Sequence, residues 1–316
     1  MNRIGYMLTV LVLFSASFFG GCGNKGGKLV EIKITPPSTI IATGTSIQYR
    51  SLAVFGDGTI VNWTSATEWT SSDNAVEISN AFNTFGLAHS FQSVLSGTVV
   101  ITGKDVANNI VSTATLSVVD PVSLSIYPPN PFMKVTTNHS FRAETLLSTD
   151  PTVTPQVLTS LSTWTTTDSA IATVSKVGVV VTHLTGTTDL ISTYTYTKFD
   201  GALYSHPTVT ATTTLTVTAT ELGSLTLTSS PSVTSSVITV GTGTVQFGAI
   251  GNYNGGVDQI PFTESVSWYS SNKKVATISD DPGSKGFCTL VGAGSTTIRA
   301  TDPITGQKQA VIMTVQ

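Results

Sequence analysis

WTSSDNAVEI, Trp69 to Ile78, places a tryptophan, a run of hydroxyls and an aspartate side by side. Those residue types suit a polar site and a strand-turn-strand equally well. WTTTDSAIATV from Trp164 and WYSSNKKVATI from Trp268 decide between the two. In each copy the residue three past the tryptophan carries a short hydroxyl (Ser72, Thr167, Ser271), and the residue four past is a short acceptor (Asp73, Asp168, Asn272). A β-branched aliphatic stands seven past (Val76, Ile171, Val275). Five residues before each tryptophan is a threonine preceded by a large apolar residue: Trp63-Thr64, Leu158-Thr159 and Phe262-Thr263. Short acceptors of this kind bond nearby backbone N–H groups in Asx and ST turns. A catalytic base would not become an amide in one copy, because an amide cannot take up a proton. The motif therefore reads as scaffold, with Asp73 a turn residue.

The tryptophans recur about every 100 residues, the size of one β-sandwich domain. Other landmarks keep the same register. Each unit opens on an alternating strand that runs into proline (LVEIKITPP from Leu29, PVSLSIYPP from Pro121, LGSLTLTSSP from Leu222). Each has a glycine-led strand from Gly97, Gly186 or Gly294, and closes on an alternating strand at Ala114–Val118, Thr213–Val217 or Ala310–Val315. Period-two alternation of hydroxyl and β-branched residues, as in TATTTLTVTAT from Thr210, marks half-buried strands. The expected fold is all-β, three tandem antiparallel β-sandwiches at 29–119, 120–219 and 220–316, joined by short Pro-containing or polar joints that favour an elongated string.

The first 28 residues read differently. Arg3, an apolar run from Ile4 to Phe19, and Gly20-Gly21 before Cys22 resemble a bacterial lipoprotein signal. On that reading residues 1–21 are the signal peptide, Cys22 is lipidated, and residues 22–28 form a tether reaching at most ~25 Å. Gly23 follows the cysteine where inner-membrane retention uses Asp, which points to the outer membrane or cell surface. Cys288 is then left without a disulfide partner and is expected to be a buried, inert thiol.

The third copy carries the most specific likeness. ITVGTGTVQFGA from Ile238, VSWYSSNKKVATIS from Val266 and GFCTLVGAGSTTIRAT from Gly286 resemble the group 2 bacterial immunoglobulin-like domain of intimin- and invasin-type surface proteins. The resemblance implies Ig-like sandwiches with a part in adhesion, in protein or glycan contact at the surface, or in spacing a distal unit. The second copy departs at YTYTKFDGALYSHP from Tyr194, where Asp200-Gly201 is expected to turn an extended hairpin. In the first copy Ser79 to Gly97 replaces the expected strand-Gly-strand pattern, so an insertion or altered strand is expected there, within 79–96.

Composition excludes several function classes. Charged residues are 10% of the chain and the net charge is −3, which leaves no basic footprint for nucleic acid. His89, His139, His183 and His206 are dispersed, with no metal-ligand spacing, no GxSxG elbow and no phosphate loop nearby. No catalytic residue, metal site or cofactor is expected. Calcium at the joints is the alternative, but it wants converging oxygens, and Asp120, Glu221, Asp105 and Asp302 stand alone. Tyr194 and Tyr196, two apart on one strand, with Tyr204 on the return strand, are the candidate binding patch: an aromatic ridge if exposed, the core of a hairpin if buried. Trp63 matches Leu158 and Phe262 and is expected to face inward.

Overall fold

The computed structural model describes residues 27–148, 153–230, 237–238 and 243–316. The segment expected to be a signal peptide, and Cys22, lie outside them. Every regular element apart from short 3-10 turns is a β-strand.

The strands fall into three groups, and among the described residues no ladder joins one group to the next. In the first group Ser38–Ala42 pairs with Ile110–Val119, which pairs with Thr98–Asp105, which pairs with Glu68–Ser71. The second group repeats that order with Phe132–Lys134, Thr208–Thr218, Gly186–Thr195 and Thr163–Thr166. Val237–Ile238, Lys308–Val315, Gly294–Thr301 and Ser267–Ser270 repeat it in the third. In all three the outer strand runs parallel to the closing strand while the other pairs are antiparallel. The second layer holds the opening strands Leu29–Thr35, Ser125–Tyr127 and Ser224–Ser230, antiparallel to Arg50–Phe55, Arg142–Thr145 and Thr244–Tyr253 in turn. Aliphatic and aromatic residues at alternate positions of both layers face each other in a core centred on each tryptophan. These are Ig-like β-sandwiches.

The tryptophan motif works the same way in each sandwich. The indoles are buried, at 1%, 7% and 5% exposure. Each indole N–H donates to the carbonyl of the threonine five residues earlier: Trp69 to Thr64 at 3.0 Å, Trp164 to Thr159 at 2.9 Å, Trp268 to Thr263 at 3.1 Å. That threonine's hydroxyl accepts from a backbone N–H of the opposite layer, of Ser51, Ala143 or Ala249. The acceptor four past the tryptophan closes an Asx turn, Asp73 Oδ1 taking the N–H of Ala75 at 2.8 Å, Asp168 that of Ala170 at 2.9 Å and Asn272 that of Lys274 at 3.1 Å. The hydroxyl three past accepts from the neighbouring strand, at Val100, Asp189 or Thr297.

Two expectations change. Position seven past the tryptophan is not equivalent in all copies. The carbonyl that receives the returning chain belongs to Ile171 and Val275 in the second and third sandwiches but to Ala75 in the first. The turn of the first is one residue shorter, and Val76 takes the strand position held by Ala172 and Ala276. Nor does 79–86 depart from the shared pattern: the extra chain expected within 79–96 lies at its end, where Phe91 to Gly97 spans three residues more than His183 to Gly186 or Val291 to Gly294. Gly86 sits at φ 74°, as Gly178 and Gly286 do at 74° and 77°, and each offers its carbonyl to the N–H of Tyr49, Phe141 or Phe247. A Cβ at Gly86 or Gly178 would lie 2.5 Å from a backbone oxygen, so only glycine fits. Ser79–Gly86 then repeats the backbone bonds of the Ser279–Gly286 loop and its bridging hydroxyls, Ser79 Oγ to Thr84 and Ser279 Oγ to Ser284. Its Phe-rich sequence hid a regular hairpin.

Superposing the copies accounts for the core's orphaned hydroxyls. Tyr49 Oη, Ser51 Oγ and Ser192 Oγ are buried without a partner among the described residues. Phe141 and Phe247 stand at the position of Tyr49, and Ala143 and Ala249 at that of Ser51. Gly103 and Ala300 face the tryptophans that correspond to Trp164 and its partner Ser192. A buried hydroxyl without a partner costs ~1–3 kcal/mol. Tyr49→Phe and Ser51→Ala are each expected to raise unfolding free energy by ~1 kcal/mol in urea titration; a loss of stability would mean that the hydroxyl is bonded after all.

Candidate functional site

The residues that the three sandwiches do not share gather at the joints. Tyr194 and Tyr196 alternate in phase with the buried Leu190 and Ser192 and point inward, at 3% and 8% exposure. Their rings lie nearly parallel, with centroids 6.4 Å apart. They do not form an exposed ridge with Tyr204, which is 61% exposed and packs beside Phe199 at 4.8 Å. The reason is in the opposite sandwich. Tyr194 Oη donates to the backbone carbonyl of Thr43 at 2.7 Å, across the first joint. Burial pushes its phenol up to about 12, so it remains a donor at any physiological pH. Gly44, at φ 85°, lets the chain pass directly over that hydroxyl.

Other side chains cross the same joint. Gln156 accepts from the N–H of Ala42 at 2.6 Å and donates to Thr45 Oγ1 at 2.9 Å, completing its amide against one backbone loop. Asp120 Oδ1 accepts from Thr43 and Ser93 hydroxyls, both at 2.7 Å, and its other oxygen faces Lys198 Nζ at 3.4 Å. The carboxylate put forward for calcium is thus surrounded by hydroxyl donors and a cation.

The extended hairpin reaches back over this joint. Lys198–Phe199 pairs with Tyr204–Ser205 about a turn in which Asp200 Oδ1 takes the N–H groups of Ala202 and Leu203. Ser93 N–H donates to the carbonyl of Thr197 at 3.1 Å, so the end of the 79–96 segment and the base of the hairpin meet. The two stretches set apart by sequence form one brace. Leu95, Leu203 and Tyr204 are exposed.

The second joint is apolar. Phe132 of the second sandwich packs against the core of the third, 4.8 Å from the Phe262 ring and 6.3 Å from Tyr253. Ile304 of the third packs against the core of the second, and Ser265 Oγ donates to the Asn130 carbonyl at 2.7 Å. Gln156, Phe132 and Ile304 are joint residues outside the sequence motifs that the three copies share, so the repeat does not mark them.

The remaining candidates are scattered. His89 bonds Ser46 at 2.8 Å and His183 bonds Thr173 at 3.0 Å, while Asp105 takes the Trp63 indole N–H at 2.6 Å and Asp302 caps its own loop at Thr305. Trp63 is half-buried, as its counterparts suggested. Among the described residues no three His, Cys, Asp or Glu side chains converge on one point. Cys288 is wholly buried and burial pushes its thiol up to about 11, which leaves it protonated and unreactive.

Residues 228–313 match the model of the bacterial Ig-like domain (group 2) family, within the third sandwich. Among curated proteins, the chain is 29% identical over 283 residues to Ice-binding protein 1 of Shewanella frigidimarina (strain NCIMB 400), covering 87% of this chain and 28% of that relative. The chain therefore spans little more than a quarter of the relative's length. Among solved structures, domains 1–6 of the surface layer protein SbsC align over 91% of this chain and 40% of that one at 16% identity and TM-score 0.23. Cadherin domains 1–4 of protocadherin gamma B7 align over 90% and 76% at 12% identity and TM-score 0.22.

Removing the Tyr194 hydroxyl tests the first joint. Tyr194→Phe leaves the Thr43 carbonyl unpaired at a cost of ~1 kcal/mol, and amide hydrogen exchange at 42–45 is expected to accelerate several-fold while the cores keep their protection. Unchanged exchange there would show that the bond does not hold the joint.

Proposed function

We propose that this chain is the non-catalytic, spacing part of a cell-surface protein. Its three Ig-like domains, 29–119, 120–219 and 220–316, stand in tandem on the envelope, anchored through a lipid on Cys22, with the outer membrane the favoured site. The match of residues 228–313 to a bacterial Ig-like family supports a surface role. The observation that carries the spacer reading over direct adhesion is Tyr194. The best aromatic candidate for gripping a partner is instead closed into the first joint, bonded to Thr43. Gln156, Asp120 and Lys198 fix the same joint by side chains, and exchanged apolar residues fix the next. A chain built to hold domains at set angles transmits position.

Small-angle scattering of the chain produced without its lipid tests this. A single elongated particle is expected, with a broader spread of lengths in the Tyr194→Phe, Gln156→Ala double variant. A wild type already as broad as the variant would overturn the spacer reading.

A second reading is contact with ice, prompted by the relative's name and favoured by one face. Thr208, Thr210, Thr212 and Thr214 are exposed at every second position of one strand, beside Thr193 and Thr195 on the next. Rows ~6.8 Å apart along the strand and ~4.8 Å across it make a regular hydroxyl and methyl array. Inhibition of ice recrystallisation by the chain, lost in Thr210→Lys, is its expected signature.

A further inference from the structure

Between the second and third sandwiches lies a half-open cleft of about 690 Å³, within the size range of small-molecule sites, which favour domain interfaces. Tyr127, His139 and Phe141 give it aromatic walls, and Pro128, Pro129 and Pro303 give it rigid ones. The His139 ring stands edge-on to Phe141 at 5.7 Å, and Phe141 is itself anchored in the core.

The charges at the cleft are already matched. Arg142 lies over the Tyr127 ring at 5.6 Å and is paired with Glu144. Lys285 Nζ, on a side chain only 2% exposed, donates to the Val266 carbonyl at 2.6 Å and to Asp280 Oδ1 at 2.9 Å. The fold alone does not require this second pair. In the first sandwich Asn80 caps the Trp69 N–H as Asp280 caps that of Trp268, and Phe85 fills the loop position of Lys285. A neutral pair does that structural work where no cleft adjoins it. In the third sandwich a buried lysine holds a carboxylate at the cleft's rim instead.

Several polar groups at the cleft have no hydrogen bond among the described residues: the His139 imidazole and the Ser140 and Ser267 hydroxyls. Burial holds the His139 pKa below the ordinary histidine range, against the opposing pull of Asp302, so the ring is a neutral donor and acceptor. With its cations already paired, the cleft has no spare positive charge for an anion. Its ring faces and free neutral groups suit a ligand with an apolar face and many hydroxyls.

We propose that this cleft binds a neutral carbohydrate, with a sugar ring against Tyr127 and its hydroxyls bonded by His139, Ser140, Ser267 and Asp280. This goes beyond the spacer reading and does not rest on it, since the scattering measurement can fail while the cleft still binds.

Saturation-transfer NMR on the full chain with cellotriose and chitotriose, and with sialyllactose as a charged control, tests the site. Transfer to ring protons of at least one neutral trisaccharide is expected, weakened about tenfold or more in Tyr127→Ala, as the loss of a stacked ring implies. Because Tyr127 helps to close the second layer, Ser140→Trp serves as the second variant. It fills the cleft from an exposed strand position, and is expected to abolish binding without shifting the thermal midpoint. No transfer from either neutral sugar, transfer from sialyllactose alone, or transfer undiminished in Ser140→Trp would each overturn the proposal.

Discussion

An indole N–H cannot be buried for nothing. Each sandwich places its largest side chain at the centre of an apolar core, and that side chain brings one donor that must be answered there. The answer, a carbonyl five residues upstream, forces the chain to fold back under the ring. The threonine that owns the carbonyl then reaches across to the opposite layer with its hydroxyl. One donor thus fixes the strand, the crossover that precedes it and the spacing of the two layers. The Asx turn downstream sets where the chain leaves the sheet. The rest of each sandwich is free to vary, and it does.

That freedom is used where the sandwiches meet. The first joint is polar and specific, with Tyr194, Gln156 and Asp120 each completing hydrogen bonds to the other side. Such bonds are worth little individually, but each would leave a part-buried polar group unpaired if the joint turned. The second joint relies on burial, through Phe132 and Ile304. It is also the joint that leaves a cleft, because apolar contact on one side of the interface does not require closure on the other.

Much of this was legible in the sequence, for a physical reason. The spacing from threonine to tryptophan to Asx residue is held by hydrogen bonds over short separations, and short separations show in a sequence. Period-two alternation also carried the inward parity of Tyr194 and Tyr196, which share the phase of Leu190 and Ser192. What could not be read was which surface a neighbouring domain covers. Tyr194 bonds a carbonyl 151 positions away, and a carbonyl has no residue identity to detect. The 79–86 loop was missed for a different reason: Phe82 and Phe85 disguised a turn whose determinants are Ser79 and Gly86. The cleft was invisible because one wall comes from Tyr127–Arg142 with Val157 and Thr159, and the other from Ser267–Pro303, each ordinary strand and turn sequence on its own.

The parallel pairing that recurs in every sandwich has a mechanical meaning. Ser38–Ala42 lies near the start of its sandwich and Ile110–Val119 at its end, side by side and pointing the same way. Tension applied through the two ends would slide these strands along each other, loading all the bonds of the ladder at once instead of peeling them one by one. Resistance to a pull along the chain then depends on how many ladder bonds must break together, a quantity set by the direction of the strands and separate from the free energy of folding.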